Sequence, residues 1–264
     1  MEAWIPFLPN WLLIFCRITA FLLASPVFST RGVPAQWKIG LAALIAFLTF
    51  ASVGLKEPAD IDGLFVVSII REVLVGLLLG FTAYLFFTVV QIAGAFIDIQ
   101  MGLGIANVID PMTGAQSPII GNFKFIISIL LFLSFNGHHY LFDGIIKSYQ
   151  WIPLTNELFA RIQQGAVHEF LLRSFSDVFG LALQMSAPLV VALFLTDVGL
   201  GILSKTAPQF NIFVVGVPIK IIAGFLLLIL VLPGFIFLFQ DLFGMLFRAL
   251  EQLVNVIGTA PEPS

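Results

Sequence analysis

The sequence predicts an all-α, membrane-associated protein, and three observations carry that prediction. Of 264 residues, 59% are hydrophobic and only 10% charged, against roughly 25% charged in an ordinary soluble domain. Apolar runs lie near residues 11–29, 39–55, 64–97, 119–135, 171–199 and 212–239, each long enough for the roughly 20 residues a bilayer helix needs. The breaks between runs gather prolines, glycines and amides, above all in the stretch from Pro208 to Lys220. Together these predict about six long hydrophobic helices, several kinked or broken, followed by a C-terminal amphipathic helix.

Charge and cysteine content narrow the function. Net charge is -3 with no basic block, so there is no electrostatic footprint for nucleic acid. One cysteine, Cys16, sits inside an apolar run; without a second thiol there is neither an internal disulfide nor a CxxC site. The opening residues lack the basic n-region of a secretory signal, and the run beginning at Trp11 flows into further apolar segments. It reads as an uncleaved first helix.

The elements follow in order. As one helix, residues 64–97 would stretch about 51 Å at roughly 1.5 Å per residue, beyond a hydrocarbon core of about 30 Å. That segment must project out, bend or avoid ordinary spanning. The fifth run has the same excess in milder form, with Pro188 as the expected kink. Between Asn136 and His168 the composition turns mixed and polar, which predicts a solvated connection with one short helix. Pro208 and Pro218 lack an amide hydrogen and disfavour a helical residue before them, so the chain is predicted to leave helix around Pro208, Gln209, Asn211, Gly216, Pro218 and Lys220. Irregular backbone at membrane depth survives only against protein or water, which points this stretch at other subunits or an aqueous passage. Beyond Pro233, Asp241, Gly244, Arg248, Glu251 and Asn255 recur along one face; such a helix lies along the interface or extends the last span. Basic residues are split between alternate loops, so orientation is left open.

Polar residues inside the apolar runs are the candidate sites. Glu72, Gly76 and Gly80 follow at i+4, which places the carboxylate on a small-residue stripe that lets another helix come close. A proton or cation site is one reading; the preferred one is a packing residue neutralised by Arg71 or a neighbouring subunit. Arg173, Asp177, Gly180, Gln184 and Pro188 also share a face, with Arg173 and Asp177 at the spacing of an ion pair. That stripe suits a subunit contact or channel wall, or simply a solvated helix end followed by a kink.

The loop from Asp98 to Pro118 is rich in glycine and proline. Gly102-x-Gly104 is a near miss to the dinucleotide fingerprint with no preceding strand, so nucleotide binding is rejected. From the residues alone a plain surface loop is preferred over a plug or gate. His138 and His139 are adjacent and His168 is distant, which gives no paired metal-ligand spacing. No nucleophile elbow is present either, and neither an enzyme nor a cofactor is expected.

Several stretches carry a resemblance. They are Ser25 to Pro34; Arg71-Glu72 with Gly76 and Gly80; Asp98 to Gly102; Asp110 to Gly114; Asn136-Gly-His138; Ser148 with Pro153; and Ala207 to Lys220. In this order and spacing the chain resembles, almost end to end, the FliR/SctT family of type III export-gate subunits. The resemblance implies a single subunit that assembles with several FliP and FliQ subunits, beside an FlhB-type export component, into a hollow conduit for unfolded flagellar proteins. The implied location is the bacterial inner membrane, in the flagellar basal body, projecting to the periplasmic side. Residues 1–170 match a FliP-like part, 171–239 a FliQ-like helical hairpin turning at Thr206 to Pro218, 240–258 the amphipathic helix, and 259–264 a disordered tail. The family plug falls near 107–118, at Asn107, Asp110, Pro111, Met112, Gly114 and Pro118, and this reverses the preference for a plain loop. Some helices are then expected to pack in the assembly without spanning lipid.

The alternative is a small ion-coupled membrane transporter, whose broken helices and buried carboxylates form a midplane site. The Pro208 to Lys220 break has no clear counterpart in residues 1–130, which counts against paired transporter halves.

Overall fold

The computed structural model describes residues 6–30, 32–53, 63–103, 118–207, 209 and 212–258. Among them all regular structure is helical: α1 (Leu8–Ala24), α2 (Ala35–Val53), α3 (Phe65–Met101), α4 (Ile119–Ser134), α5 (Gly137–Trp151), α6 (Leu158–Gln163), α7 (Ala166–Thr206) and α8 (Ile212–Ile257). Four of these, α2, α3, α7 and α8, are long and apolar enough to cross a membrane, or up to five spans if α4 and α5 are counted as one broken span.

Local chemistry sets the boundaries. α1 has Pro9 in its first turn, where a missing amide hydrogen costs nothing, and ends at an extended Ser25 whose N–H donates to the Phe21 carbonyl. Pro26 follows and prevents continuation. α4 begins directly after Pro118. The break between α4 and α5 falls at Asn136, in the left-handed region at φ 57°, a conformation asparagine tolerates better than most residues. Gly165, at φ +82°, turns the chain into α7.

The length of α3 agrees with the sequence reading, and two other expectations are corrected. α3 runs unbroken for 37 residues, about 55 Å at roughly 1.5 Å per residue. The Asn136 to His168 region holds two helices, α5 and α6, rather than one. Pro218 and Pro233 both lie inside α8, and Pro188 inside α7. Gly216, Pro218 and Lys220 are thus helical, with α7 running to Thr206 and α8 starting at Ile212. The physical reason is the cost of the alternative: an interior proline forfeits one hydrogen bond, whereas opening the helix in apolar surroundings strands a donor and an acceptor at every residue. Residues 240–257 continue α8, so the amphipathic stretch extends the last span. The tail 259–264 lies outside the described residues.

Packing divides the chain into two compact units. One comprises Met1–Leu85, Phe135–Phe175 and Gly244–Ser264; the other comprises Phe86–Ser134 and Ser176–Phe243. The first buries Ile14, Ile18, Phe21, Val75, Leu141 and Leu253. The second has an aliphatic core of Ile97, Met101, Ile120, Leu189, Leu193 and Leu228. Beside it, Phe132 meets Phe87 and Phe243 edge to face, with ring centroids 5.2 and 5.0 Å apart. Outside these cores, apolar surface stays open: only 11% of the spanning window of α8 is buried, and Leu230 and Phe237 are 76% and 70% exposed. Such surface requires lipid or partner protein.

Candidate functional site

In the first unit, the small-residue stripe of α3 brings α1 against it. A Cβ at Gly76 would collide with the Arg17 carbonyl, and one at Gly80 would lie 2.7 Å from both the Phe21 carbonyl oxygen and the Ala24 Cβ. Only glycine permits this approach, and it places Arg17 of α1 beside Glu72, one helical turn before Gly76. Both side chains are fully buried.

Their pairing is bidentate. Arg17 Nε donates to Glu72 Oε2 at 2.6 Å and Nη2 donates to Oε1 at 3.0 Å. Two further donations leave the guanidinium: Nη1 reaches Ser148 Oγ at 3.1 Å and Nη2 the Ile152 carbonyl at 2.9 Å. The Tyr149 ring lies 4.0 Å from the guanidinium carbon, a cation–π contact, and Asn156 Nδ2 donates to Glu72 Oε1 at 3.3 Å. One ion pair therefore ties α1, α3, α5 and the connection after α5. A buried pair is tolerable only when its remaining hydrogen-bonding capacity is met in this way.

Arg71, adjacent in sequence, is not the partner of Glu72. Its Nη1 donates to the Asn156 carbonyl at 2.9 Å and its Nη2 to the Leu154 carbonyl. The expectation of neutralisation by Arg71 or by another subunit is corrected: neutralisation comes from Arg17. A signal for it exists in the sequence, since a cation inside an apolar run demands a partner, but that partner stands 55 residues away. The expected Arg173–Asp177 pair is likewise replaced by Arg173 with Glu169, on the exposed side of α7.

The second unit holds the two ends of the glycine- and proline-rich loop. Asp98, 5% exposed near the end of α3, accepts hydrogen bonds from the backbone N–H groups of Ile120 (3.1 Å) and Gly121 (3.4 Å) at the start of α4. A carboxylate here fills orphan donors of the helix N-terminus and suits its dipole. Gly94 and Gly121 approach so closely that a Cβ on Gly94 would collide with the Gly121 backbone. The loop is thus closed at its base by a cap and a backbone contact. Of the residues assigned to the plug, Pro118 is half-buried beside this base; Asn107, Asp110, Pro111, Met112 and Gly114 lie outside the described residues.

Of the residues assigned to the hairpin turn, Pro208 and Asn211 lie outside the described residues, and Gln209 is an exposed turn residue. In α8, Gly216 is buried and Pro218 exposed. Lys220 pairs with Asp197 of α7 at 2.8 Å, and Gln100 of α3 donates to the same carboxylate at 2.8 Å. Lys124 of α4, 5% exposed, rests over the Phe235 ring at 4.3 Å. Among the described residues no group of three or more His, Cys, Asp or Glu side chains is placed to hold a metal ion.

These features organise packing and set loop ends, and comparison with known proteins says what kind of molecule uses them. The family model described as "Bacterial export proteins, family 1" matches residues 8–246. The chain belongs to the FliR family of bacterial export proteins. It is 42% identical over 260 residues to the flagellar biosynthetic protein FliR of Bacillus subtilis strain 168, covering 98% of this chain and 100% of that one. It is 29% identical to the FliR of Escherichia coli K12, covering 96% of each chain, and 33% identical to that of Pectobacterium carotovorum subsp. carotovorum, covering 90% of this chain and 92% of that one. The FliR-family match contains α1 through most of α8, and with them both partners of the Arg17–Glu72 pair and both ends of the capped loop.

Proposed function

We propose that this membrane protein is a non-enzymatic subunit of the flagellar type III export gate. In this reading it sits in the bacterial inner membrane within the basal body. It assembles with FliP-type and FliQ-type subunits, beside an FlhB-type component, into a conduit for unfolded flagellar proteins. The observation that carries the reading is the 42% identity to a flagellar biosynthetic protein along essentially the whole length of both chains. The open apolar surface of α7 and α8 supports it, because such faces suit helical neighbours as well as lipid. The loop at 107–118 acts as the plug, and its capped base supports a role in which the loop ends stay fixed.

The transporter reading loses its main support. Glu72, the carboxylate it most needs, is held by Arg17 and Asn156 and has no free face for an ion.

Native mass spectrometry of the chain purified with its membrane partners in mild detergent tests the proposal. One copy bound to several FliP-like and FliQ-like chains is the expected result. A monomer or simple homo-oligomer without them overturns it.

A further inference from the structure

The first unit contains a cleft of about 360 Å³ between α5 and the C-terminal end of α8, within the roughly 300–1,000 Å³ range of sites that hold small ligands. Its walls touch at both ends. At one end the Tyr140 and Phe247 rings meet with centroids 5.4 Å apart; at the other, Gly258 packs so tightly on the Trp151 carbonyl that a Cβ would collide. The space between is therefore a preformed cavity.

The lining has two chemistries. The floor is apolar, formed by Phe21, Leu79, Leu141 and Ile145, all 4% exposed or less. The mouth is charged, with Asp143, Lys147 and Glu251. Lys147 pairs with Asp143 at 2.8 Å, both more than half exposed. The exposed Glu251 has no cationic partner within ion-pair distance among the described residues. The mouth thus carries two carboxylates and one ammonium. Gly144 lines the cleft from the middle of α5, and a Cβ there would meet nothing within 4 Å. A helix-interior glycine weakens its helix relative to alanine, and packing among the described residues does not require one here.

We propose that this cleft binds a phospholipid with an ethanolamine headgroup. One acyl chain lies on the Phe21–Leu79–Ile145 floor, the ammonium faces Glu251 and Asp143, and the phosphate faces Lys147. Charge complementarity selects the headgroup: a zwitterion ending in a cation fits a mouth with excess negative charge, and an anionic glycerol headgroup does not. The position fits as well. Arg248 and Glu251 belong to the end of α8 where apolar sequence gives way to charge, the pairing of surfaces found at the headgroup layer.

The test uses the full chain extracted from bacterial membranes in mild detergent, stripped of lipid, and titrated with palmitoyl-oleoyl phosphatidylethanolamine or its phosphatidylglycerol counterpart. Native mass spectrometry counts bound lipid. The expected result is one retained ethanolamine lipid per chain, with at least a tenfold preference over the glycerol lipid. Gly144→Trp, which fills the cleft, abolishes retention; Glu251→Gln weakens it several-fold and erases the headgroup preference while leaving the floor intact. Circular dichroism confirms that both variants keep wild-type helix content, and the charge variant stands as the test if Gly144→Trp does not fold. Equal retention in wild type and both folded variants, preference for the glycerol lipid, or capture of a partner chain's helix in the cleft with no lipid retained overturns the proposal.

Discussion

Replacing the partners of the Arg17–Glu72 pair singly and together tests whether this buried pair is a structural clasp. In Arg17→Met the Glu72 carboxylate keeps only the Asn156 amide, at 3.3 Å, among the side-chain donors described. In Glu72→Met the guanidinium keeps Ser148 and the Ile152 carbonyl but has no counter-charge. Stranding one partner of a fully buried pair costs about 3–5 kcal/mol. At roughly 2–4 °C per kcal/mol, each single variant should lower the unfolding midpoint by about 6–20 °C. The double variant Arg17→Met/Glu72→Met removes both charges and keeps side-chain volume. Its remaining deficit is chiefly the Ile152 carbonyl left without its donor, about 1–3 kcal/mol. It should therefore be more stable than either single variant. The assay is thermal unfolding in one detergent, followed by circular dichroism, with Glu72→Gln as the isosteric control expected to behave as a single variant. A double variant that loses the sum of the two single losses refutes the reasoning, because it would mean that the two charges act independently.

Three further outcomes follow from the packing and the capped loop. Gly76→Leu must drive α3 away from the Arg17 carbonyl and should cost about 1–3 kcal/mol or more by overpacking, read in the same unfolding assay; Gly144→Leu, where a Cβ meets open space, should stay within about 1 kcal/mol of wild type. Asp98→Ala removes the acceptor for the first amides of α4 and should cost about 0.5–2 kcal/mol. Hydrogen exchange should quicken first at Ile120 and Gly121, and unchanged exchange there would show that the cap does not hold the helix start. Deleting Val108 to Ser117, in the plug proposed above, should make cells leak ions and small solutes; unchanged membrane permeability would remove the plug from the proposal.

How much the sequence discloses depends on the range over which each signal acts. The shared face of Glu72, Gly76 and Gly80 is a matter of helical spacing, so its role as a close-contact stripe is legible in the sequence itself. The partner of Glu72 is not: Arg71 is adjacent, but a neighbour in sequence points about 100° away around a helix, while Arg17 arrives only when α1 docks. The break expected around Pro218 is overestimated for a related reason. Proline's local penalty is visible in sequence, whereas the surroundings that make leaving the helix costlier are not. Asp98 stands in sequence as one polar residue of a motif with no evident role, because its contact bridges the loop to α4. The candidate cleft is hidden more completely, since its two walls come from α5 and the far end of α8 and its signature, an unnecessary glycine, reads in sequence as nothing at all.

α8 holds two prolines inside one helix of 46 residues. Each ring leaves the carbonyl four residues earlier, that of Val214 or of Ile229, without its helical donor, and the two defects stand about 15 residues, or roughly 22 Å, apart along the axis. In apolar surroundings each freed carbonyl needs a donor from outside its own helix, which neighbouring helices, side chains or ordered water can supply.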